Sequence, residues 1–415
     1  MNNNDLKLMS NSIRALSIDA IERANSGHPG MPLGMADVAT VLFSKFLKFD
    51  PSDPQWIDRD RFVLSAGHGS MLLYALSYLV GYKDSSIKQI KNFRQLGSKT
   101  AGHPEYGLLK CIETTTGPLG QGLGNAVGMA IAENLLNKKY GNIINHKTYV
   151  IAGDGCLMEG ISHEAISIAG HMKLKNLIVF FDDNKISIDG SVSLTCSDNQ
   201  KKRFIASNWN TIEINGHCFK EIEDGIKNAN KSDKPTLILC KTTIGFGSPN
   251  KSGKEIAHGS PLGSNEAKLT KEKLGWNYKS FEVPNNIKKK WIKVGLDGKK
   301  KRLKWELKLS KSKYRKNIKN QFKDKVIHRD NETYSFLNNI IKKNKDEATR
   351  KSSQNSLEFF SRKINNFLGG SADLTGSNLT KTKYSNISKK KINYIHYGVR
   401  EHLMAAAMNG IAVHK

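Results

Sequence analysis

Two acidic turns, each delivered by an apolar strand, constrain this chain more than any other feature. Gly153-Asp154-Gly155 follows the run Thr148 to Ala152, and Asp182-Asp183-Asn184-Lys185-Ile186 follows the run Leu177 to Phe181. Strands that alternate with helices close into a mostly parallel sheet, so their C-terminal ends meet at one edge. At such an edge a hard divalent cation can take oxygen from Asp154, from the Asn184 side chain and from a nearby backbone carbonyl. Octahedral positions then remain for a diphosphate and water. Gly153 and Gly155 let a phosphate approach the main chain. Alone, Gly-Asp-Gly is an ordinary corner with solvated acids; Asn184 at this spacing favours the cation.

The alternation extends along the chain. Helices are expected over Leu6 to Ser26 and Met35 to Leu47, a buried strand over Arg61 to Ser65, and a helix over Met71 to Val80. A turn-rich segment from Gly97 to Gly122 leads into a helix over Leu123 to Tyr140, and a further strand runs from Pro235 to Lys241. A second, shorter α/β block begins near Asn331. It has helices at Thr349 to Phe359 and Glu401 to Ile411, and strands at Phe367 to Gly370 and Tyr394 to Ile395. The expected division is residues 1–284, a basic connector over 285–330, and 331–415.

Charge is concentrated in the connector. The chain carries 65 Lys+Arg against 38 Asp+Glu, a net +27. Between Lys288 and Arg329 there are eighteen Lys/Arg and three acids, more than half of that excess. A tract such as Lys299 to Lys304, with Trp305 beside it, could hold nucleic-acid phosphates. It lacks the signature of any nucleic-acid-binding module, so a solvated connector is the preferred reading, and a basic protein would also attract small anionic substrates. The five cysteines form no C-x-x-C pair, which suggests neither a disulfide framework nor a zinc site and fits a reducing cytoplasm. No apolar signal core or membrane-spanning run is present.

Four histidines lie in glycine- or proline-flanked turns: His28, His68, His103 and His258. One would more often be structural; four together suggest a titratable pocket that hydrogen-bonds hydroxyls and passes protons. The remaining histidines receive no role. Thr114-Thr-Thr-Gly-Pro-Leu-Gly-Gln-Gly-Leu-Gly124 enters a helix and offers backbone N–H groups to a phosphate or heterocycle.

These segments resemble the transketolase family. The resemblance runs from Arg14 to the last residue through SGHPGMPLGMAD, DRDRFVLSAGHGSM, ETTTGPLGQGLGNAVGMA, GDGCLMEGISHEA, FDDNKISIDG, KTTIGFGSPNKSG, RKSSQNS, GGSADLTGSNLT and IHYGVREHLMAA, and it lapses in the basic connector. It implies a thiamine diphosphate-binding α/β fold: a diphosphate-binding domain followed by an incomplete pyrimidine-binding domain. Asp154, Asn184 and the Ile186 carbonyl would bind Mg²⁺ or Ca²⁺. His68, Gly117, Pro118, Leu119, Gly155 and His258 would contact thiamine diphosphate, Asp373 would line the thiazolium site, and Glu401 would hydrogen-bond the aminopyrimidine. His28, His103 and His258 would orient ketose hydroxyls and move protons, while Arg350 and Ser377 would hold a sugar phosphate. Glu159 would couple two sites across a homodimer, with metal and diphosphate on one protomer and Glu401 from the other.

The implied activity is transfer of a two-carbon ketol unit from xylulose 5-phosphate to ribose 5-phosphate or erythrose 4-phosphate, in the pentose phosphate pathway. The related dihydroxyacetone synthases share the motifs. Without the family, Glu401 reads as a carboxylate at a helix N-terminus, and Arg350 and Ser377 as a helix-end cation and a cap. The family continues past the position of Lys415, so the second block is expected to be unfinished. Three readings stand: a transketolase working alone or completed by a separate C-terminal chain, a remnant that keeps only the diphosphate contacts, and a basic nucleic-acid-binding protein.

Overall fold

The computed structural model describes residues 1–322, 330–343, 345–364, 366–388 and 391–414. Its centre is a five-stranded parallel sheet of β1 (Arg61–Leu64), β2 (Thr148–Gly153), β3 (Leu177–Asp183), β4 (Asn210–Asn215) and β5 (Thr236–Lys241), in the order β1-β2-β3-β5-β4. The apolar runs of β1, β2, β3 and β5 are buried almost throughout, as strands covered by helices on both faces must be. The edge strand β4 was not expected from the sequence. Its polar residues leave it half-buried, so it reads as surface until β5 pairs with it. Register sets Gly153 beside Asp182, and Asp182 beside Cys240, so both acidic turns leave the sheet side by side.

Helices pack this sheet and fix its loops. The first spans Asn3–Ala24, and the second begins at Gly30, five residues earlier than expected. Pro32 falls in its first turn, where a missing N–H costs nothing. A buried ion pair joins these helices: Arg14 Nη1 and Nη2 lie 3.0 and 2.6 Å from the Asp37 carboxylate oxygens. Burial opposes ionisation of Asp37, but the Arg14 charge and hydrogen bonds from His217 and Arg14 hold its pKa down to about 2.

The expected connector is folded where it is described. Asn285–Ser310 is a helix whose inner face, Ile287, Trp291, Val294, Gly295 and Gly298, is buried against the first block. Trp291 Nε1 donates to Ser12 Oγ at 3.0 Å, and Trp305 Nε1 to the Ile143 carbonyl at 2.6 Å. A Cβ on Gly298 would lie 1.9 Å from the Phe49 carbonyl oxygen, so only glycine permits this approach. Lysine density hides the apolar spacing in the sequence. Both tryptophans turn inward, which removes the aromatic partner that the nucleic-acid reading invoked. Residues 323–329 of that segment lie outside the described residues.

In the second block, helices Asn331–Lys343 and Thr349–Lys363 precede β6 (Gly369–Ser371), which pairs in parallel with β9 (Tyr394–His396). A small hairpin of β7 (Ile387–Ser388) and β8 (Lys391–Ile392) lies between them. The helix Glu401–Val413 packs on Gln121–Tyr140 through a seam of small residues. A Cβ on Gly128 would come within 2.1 Å of the Ala407 carbonyl oxygen, and one on Gly410 within 1.9 Å of the Asn125 carbonyl oxygen. The seam is closed at one end by Leu403 N–H donating to Glu164 Oε2 at 2.8 Å and Arg400 Nη2 to Ser167 Oγ at 2.9 Å. At the other end Arg61 donates to the His414 carbonyl, and the buried His414 and His146 rings share a hydrogen bond of 2.9 Å. No helix among the described residues is long and apolar enough to cross a membrane.

Because Trp291 is buried, Trp291→Ala is expected to destabilise the first block by about 3–5 kcal/mol, read by denaturant unfolding. A loss below about 1 kcal/mol would mean that the helix does not pack as described.

Candidate active site

The site is assembled at the C-terminal edge of the sheet. Asp154 begins a helical turn directly after β2, while Asp182 and Asp183 end β3. All three carboxylates are buried. Burial, then the charges of Asp183 and Asp182, push the Asp154 carboxyl up to about 7, and its Oδ2 has no hydrogen-bond partner. Burial likewise raises Asp182 to about 6, against hydrogen bonds from Thr242 and Asn184. Asn184 Nδ2 donates to Asp182 Oδ2 at 3.0 Å, and Asn184 Oδ1 accepts the Ile186 N–H at 2.9 Å. Lys185 between them is left-handed, with φ 64°.

Among the described residues no three His, Cys, Asp or Glu side chains form a self-sufficient metal site. The donors at this corner are instead one orphaned carboxylate oxygen, an amide oxygen and backbone carbonyls. Such a hard, incomplete oxygen set suits Mg²⁺ or Ca²⁺ whose other ligands come from a diphosphate.

Glycines beside this corner let neighbouring segments close on one another, and one of them leaves open space. A Cβ on Gly67 would sit 2.7 Å from the Gly117 nitrogen, and one on Gly155 2.9 Å from Leu119 Cδ1, whereas a Cβ on Gly153 would meet open space. Gly117 has φ 142° and lies against the His103 ring. Gly117, Pro118 and Leu119 thus form a loop between the histidines and Gly155, just before the helix Gln121–Tyr140. The residues present fit thiamine diphosphate and its cation in two respects: an unsatisfied buried oxygen at Asp154 for the metal and open backbone at Gly153 where a phosphate could approach.

The structure brings the four singled-out histidines together. Ring centroids of His28 lie 5.2 Å from His68, 5.9 Å from His258 and 6.5 Å from His103, and His68 stacks on His258 at 5.0 Å. Burial is the first cause of every shift and lowers all four pKa values. His28 falls to about 4, helped by the positive charge of Arg94, and His68 to about 3. His258 Nδ1 is buried without a partner. Arg94, which the sequence reading passed over, adopts φ 60°, donates to Ser26 Oγ at 2.7 Å and lies 3.4 Å from His28 Nδ1.

The second-block residues stand apart from this cluster. Glu401, Asp373, Ser377 and Arg350 are all exposed, and among the described residues no hydrogen bond or ion pair joins them to the histidines. Asp373 is left-handed, with φ 66°. Glu401 opens its helix next to His402, whose Nε2 is 2.7 Å from Gln121 Nε2. Exposed Glu159 sits by Gly120, where an added Cβ would lie 2.9 Å from Glu159 Cβ. Glu159 and Glu401 therefore flank the same helix N-terminus.

Sequence reading also missed Thr242, Asp37 and His217, and gave Asp182, although part of the acidic turn, no role of its own. His217 follows Gly216, so the glycine-flanked criterion that found the other four histidines would have found it too. Its Nε2 accepts the Thr243 N–H at 3.1 Å, so Nδ1 carries the proton donated to Asp37 Oδ2 at 2.9 Å.

Comparison with known proteins accords with this geometry. Residues 6–331 match the family model described as transketolase, thiamine diphosphate binding domain, and residues 345–415 that of transketolase, pyrimidine binding domain. Transketolase of Cereibacter sphaeroides is 50% identical over 410 residues, covering 98% of this chain and 62% of that protein. Transketolase 2 of Escherichia coli is 50% identical over 423 residues, covering 98% and 63%. The transketolase structure from Campylobacter jejuni superposes with TM-score 0.93 at 42% identity, covering 100% of this chain and 64% of that one. A Pichia stipitis transketolase solved with sedoheptulose 7-phosphate gives 0.90 at 39%, covering 100% and 63%. The chain thus spans under two thirds of the length of these relatives. On this match over nearly its whole length, the chain belongs to the transketolase family.

Proposed function

We propose that the chain acts as a thiamine diphosphate-dependent transketolase, moving a two-carbon ketol unit from a ketose phosphate to an aldose phosphate. The observation that carries this reading is the orphaned, desolvated Asp154 beside the open backbone of Gly153 and four clustered histidines whose pKa values burial lowers. Asp154, Asn184 and the Ile186 carbonyl would hold Mg²⁺ or Ca²⁺. Gly155, His68, His258 and the Gly117–Leu119 loop would hold the cofactor. When bound, thiamine diphosphate supplies the electron sink that keeps the two-carbon unit between donor and acceptor sugars.

The chain's own groups do the positioning. At neutral pH His28, His103 and His258 are uncharged, so each ring can donate one hydrogen bond to a sugar hydroxyl and accept another, and can carry a proton. Arg94 helps keep His28 in that form. Glu401 is exposed and, among the described residues, makes no hydrogen bond or ion pair with the histidine cluster, which suits a carboxylate that completes the site of a second protomer. Arg350, Ser377 and Asp373, exposed on the same block, would face that site as well, and Glu159 beside Gln121 would link the two. Substrates would be xylulose 5-phosphate with ribose 5-phosphate or erythrose 4-phosphate, in the pentose phosphate pathway, and the chain's excess positive charge favours their approach. The cysteines are free thiols, which suits the cytoplasm.

Ketol transfer from xylulose 5-phosphate to ribose 5-phosphate by the purified chain, with thiamine diphosphate and Mg²⁺, tests the activity. Separate Asp154→Ala and Glu401→Ala chains should be inactive, and their mixture should regain up to about a quarter of wild-type turnover through heterodimers with one intact site. A mixture that stays dead beside an active wild type would contradict the two-protomer site. No metal-dependent turnover by wild type would contradict activity of the chain by itself.

The lowered histidine pKa values also set a direction with pH. His28 and His68 ionise near 4 and 3 when folded, but in the unfolded chain near the ordinary 6.5. As pH falls below about 6.5 the unfolded state takes up protons that the folded state refuses, so stability is lost, by up to about 1.4 kcal/mol per pH unit for each histidine. Thermal melts from pH 7 to pH 4 should therefore fall less steeply for the double variant His28→Gln, His68→Asn than for wild type. Equal slopes would mean that these rings are not held neutral.

A further inference from the structure

The loop after β5 carries groups that touch the cation corner, and it is itself fastened by residues that touch neither metal nor diphosphate. Thr242 Oγ1 donates to Asp182 Oδ1, whose partner oxygen receives Asn184 Nδ2 at 3.0 Å. The Asn184 amide is thereby oriented through Asp182 and Thr242. One residue on, the Thr243 N–H is fixed to His217 Nε2 at 3.1 Å, and His217 Nδ1–H to Asp37 at 2.9 Å. The His217 ring stacks on Phe246 of the same loop at 4.1 Å and 23°, and the Arg14 guanidinium lies over that ring at 4.5 Å.

The local sequence is fitted to this clasp. A Cβ on Gly216 would lie 2.5 Å from Thr242 Cγ2, and one on Gly34 3.0 Å from the Thr243 carbonyl oxygen, so the loop beds directly on two glycine backbones. His217 N–H is in turn held by Asn215 Oδ1 at 2.9 Å. The Gly245 N–H donates to the Gly30 carbonyl at 3.0 Å, two residues from His28. One loop thus joins the histidine cluster to the cation corner, and His217 is the side chain that ties it to the buried Arg14–Asp37 pair.

We propose that His217, braced by Asp37 and Arg14, is a positioning residue for the cation site: it fixes the loop whose Thr242 sets Asp182 and, through it, the Asn184 amide. The proposal rests on the cofactor reading given above. Partners one shell out from a metal orient its ligands, and their loss typically weakens metal binding by about 10–100-fold.

Calorimetric titration of thiamine diphosphate into the metal-free chain, at a series of Mg²⁺ concentrations, is the test. His217→Phe keeps the stacking on Phe246 and removes both hydrogen bonds. It should weaken Mg²⁺-dependent binding by about 10–100-fold in a chain that still folds, with the thermal midpoint of the ligand-free protein lowered by the two lost hydrogen bonds. His217→Gln, whose amide can donate to Asp37 and accept from Thr243, should recover most of the affinity. Thr242→Val should fall in the same range as His217→Phe, and combining the two should cost no more than the larger single loss, because both act through Asp182. Binding by His217→Phe within about twofold of wild type would overturn the role of His217. Should His217→Phe fail to fold, Thr242→Val decides, and unaffected binding by it overturns the proposal. Absence of binding by wild type would overturn the cofactor reading and this role with it, whereas normal wild-type binding with an indifferent His217→Phe overturns only the role.

Discussion

Three buried carboxylates organise this protein. Asp154, Asp182 and Asp183 are brought together because β2 and β3 are parallel neighbours that end in step, and each is buried among the others. Like charges in a desolvated corner resist ionisation, which is why Asp154 is held near 7 and Asp182 near 6. Nothing in the local hydrogen bonding satisfies Asp154 Oδ2. The chain therefore maintains an electrostatic deficit that a divalent cation would relieve, and Gly153 leaves open space beside it for the anion that such a cation would bring.

The rest of the first block serves to hold that corner against relaxation. A buried Arg14–Asp37 pair is costly to desolvate and is kept because its hydrogen bonds are complete. Removing either partner would leave an uncompensated charge in the core. The histidine cluster obeys a related logic: burial, with Arg94 beside His28, disfavours the charged form of the packed rings, so the cluster offers hydrogen-bonding groups without added positive charge. The glycine seam between Gln121–Tyr140 and Glu401–Val413 then fixes where Glu401 emerges, on the surface and beside Glu159 and Gln121.

Much of this was legible in the sequence, for identifiable reasons. The strands β1, β2, β3 and β5 announce themselves because buried parallel strands are continuous apolar runs, and the two acidic turns follow them at once. His28, His68, His103 and His258 stood out through their glycine and proline neighbours, and the structure gathers all four. Strand β4 escaped because its residues read as surface when viewed alone. The helix Asn285–Ser310 escaped because lysines dominate its composition, although Ile287, Trp291, Val294 and Gly298 keep helical spacing on its inner face. Arg94 escaped for a different reason: its importance lies in a contact with His28, 66 positions away, which no local pattern records, whereas His217 follows Gly216 and carried the local signal, though not its long-range partners Asp37 and Thr243.

The central claim is that the acidic corner requires a cation that carries a diphosphate, and calorimetry across pH examines it most directly. Thiamine diphosphate titrated into the chain with Mg²⁺ should bind saturably, fail to bind with EDTA, and bind more weakly as pH falls from about 8 to about 6, because protons compete with the metal for Asp154. Asp154→Asn should abolish the metal dependence. Binding that is indifferent to EDTA and to pH would contradict the claim and leave the three carboxylates without the role assigned to them.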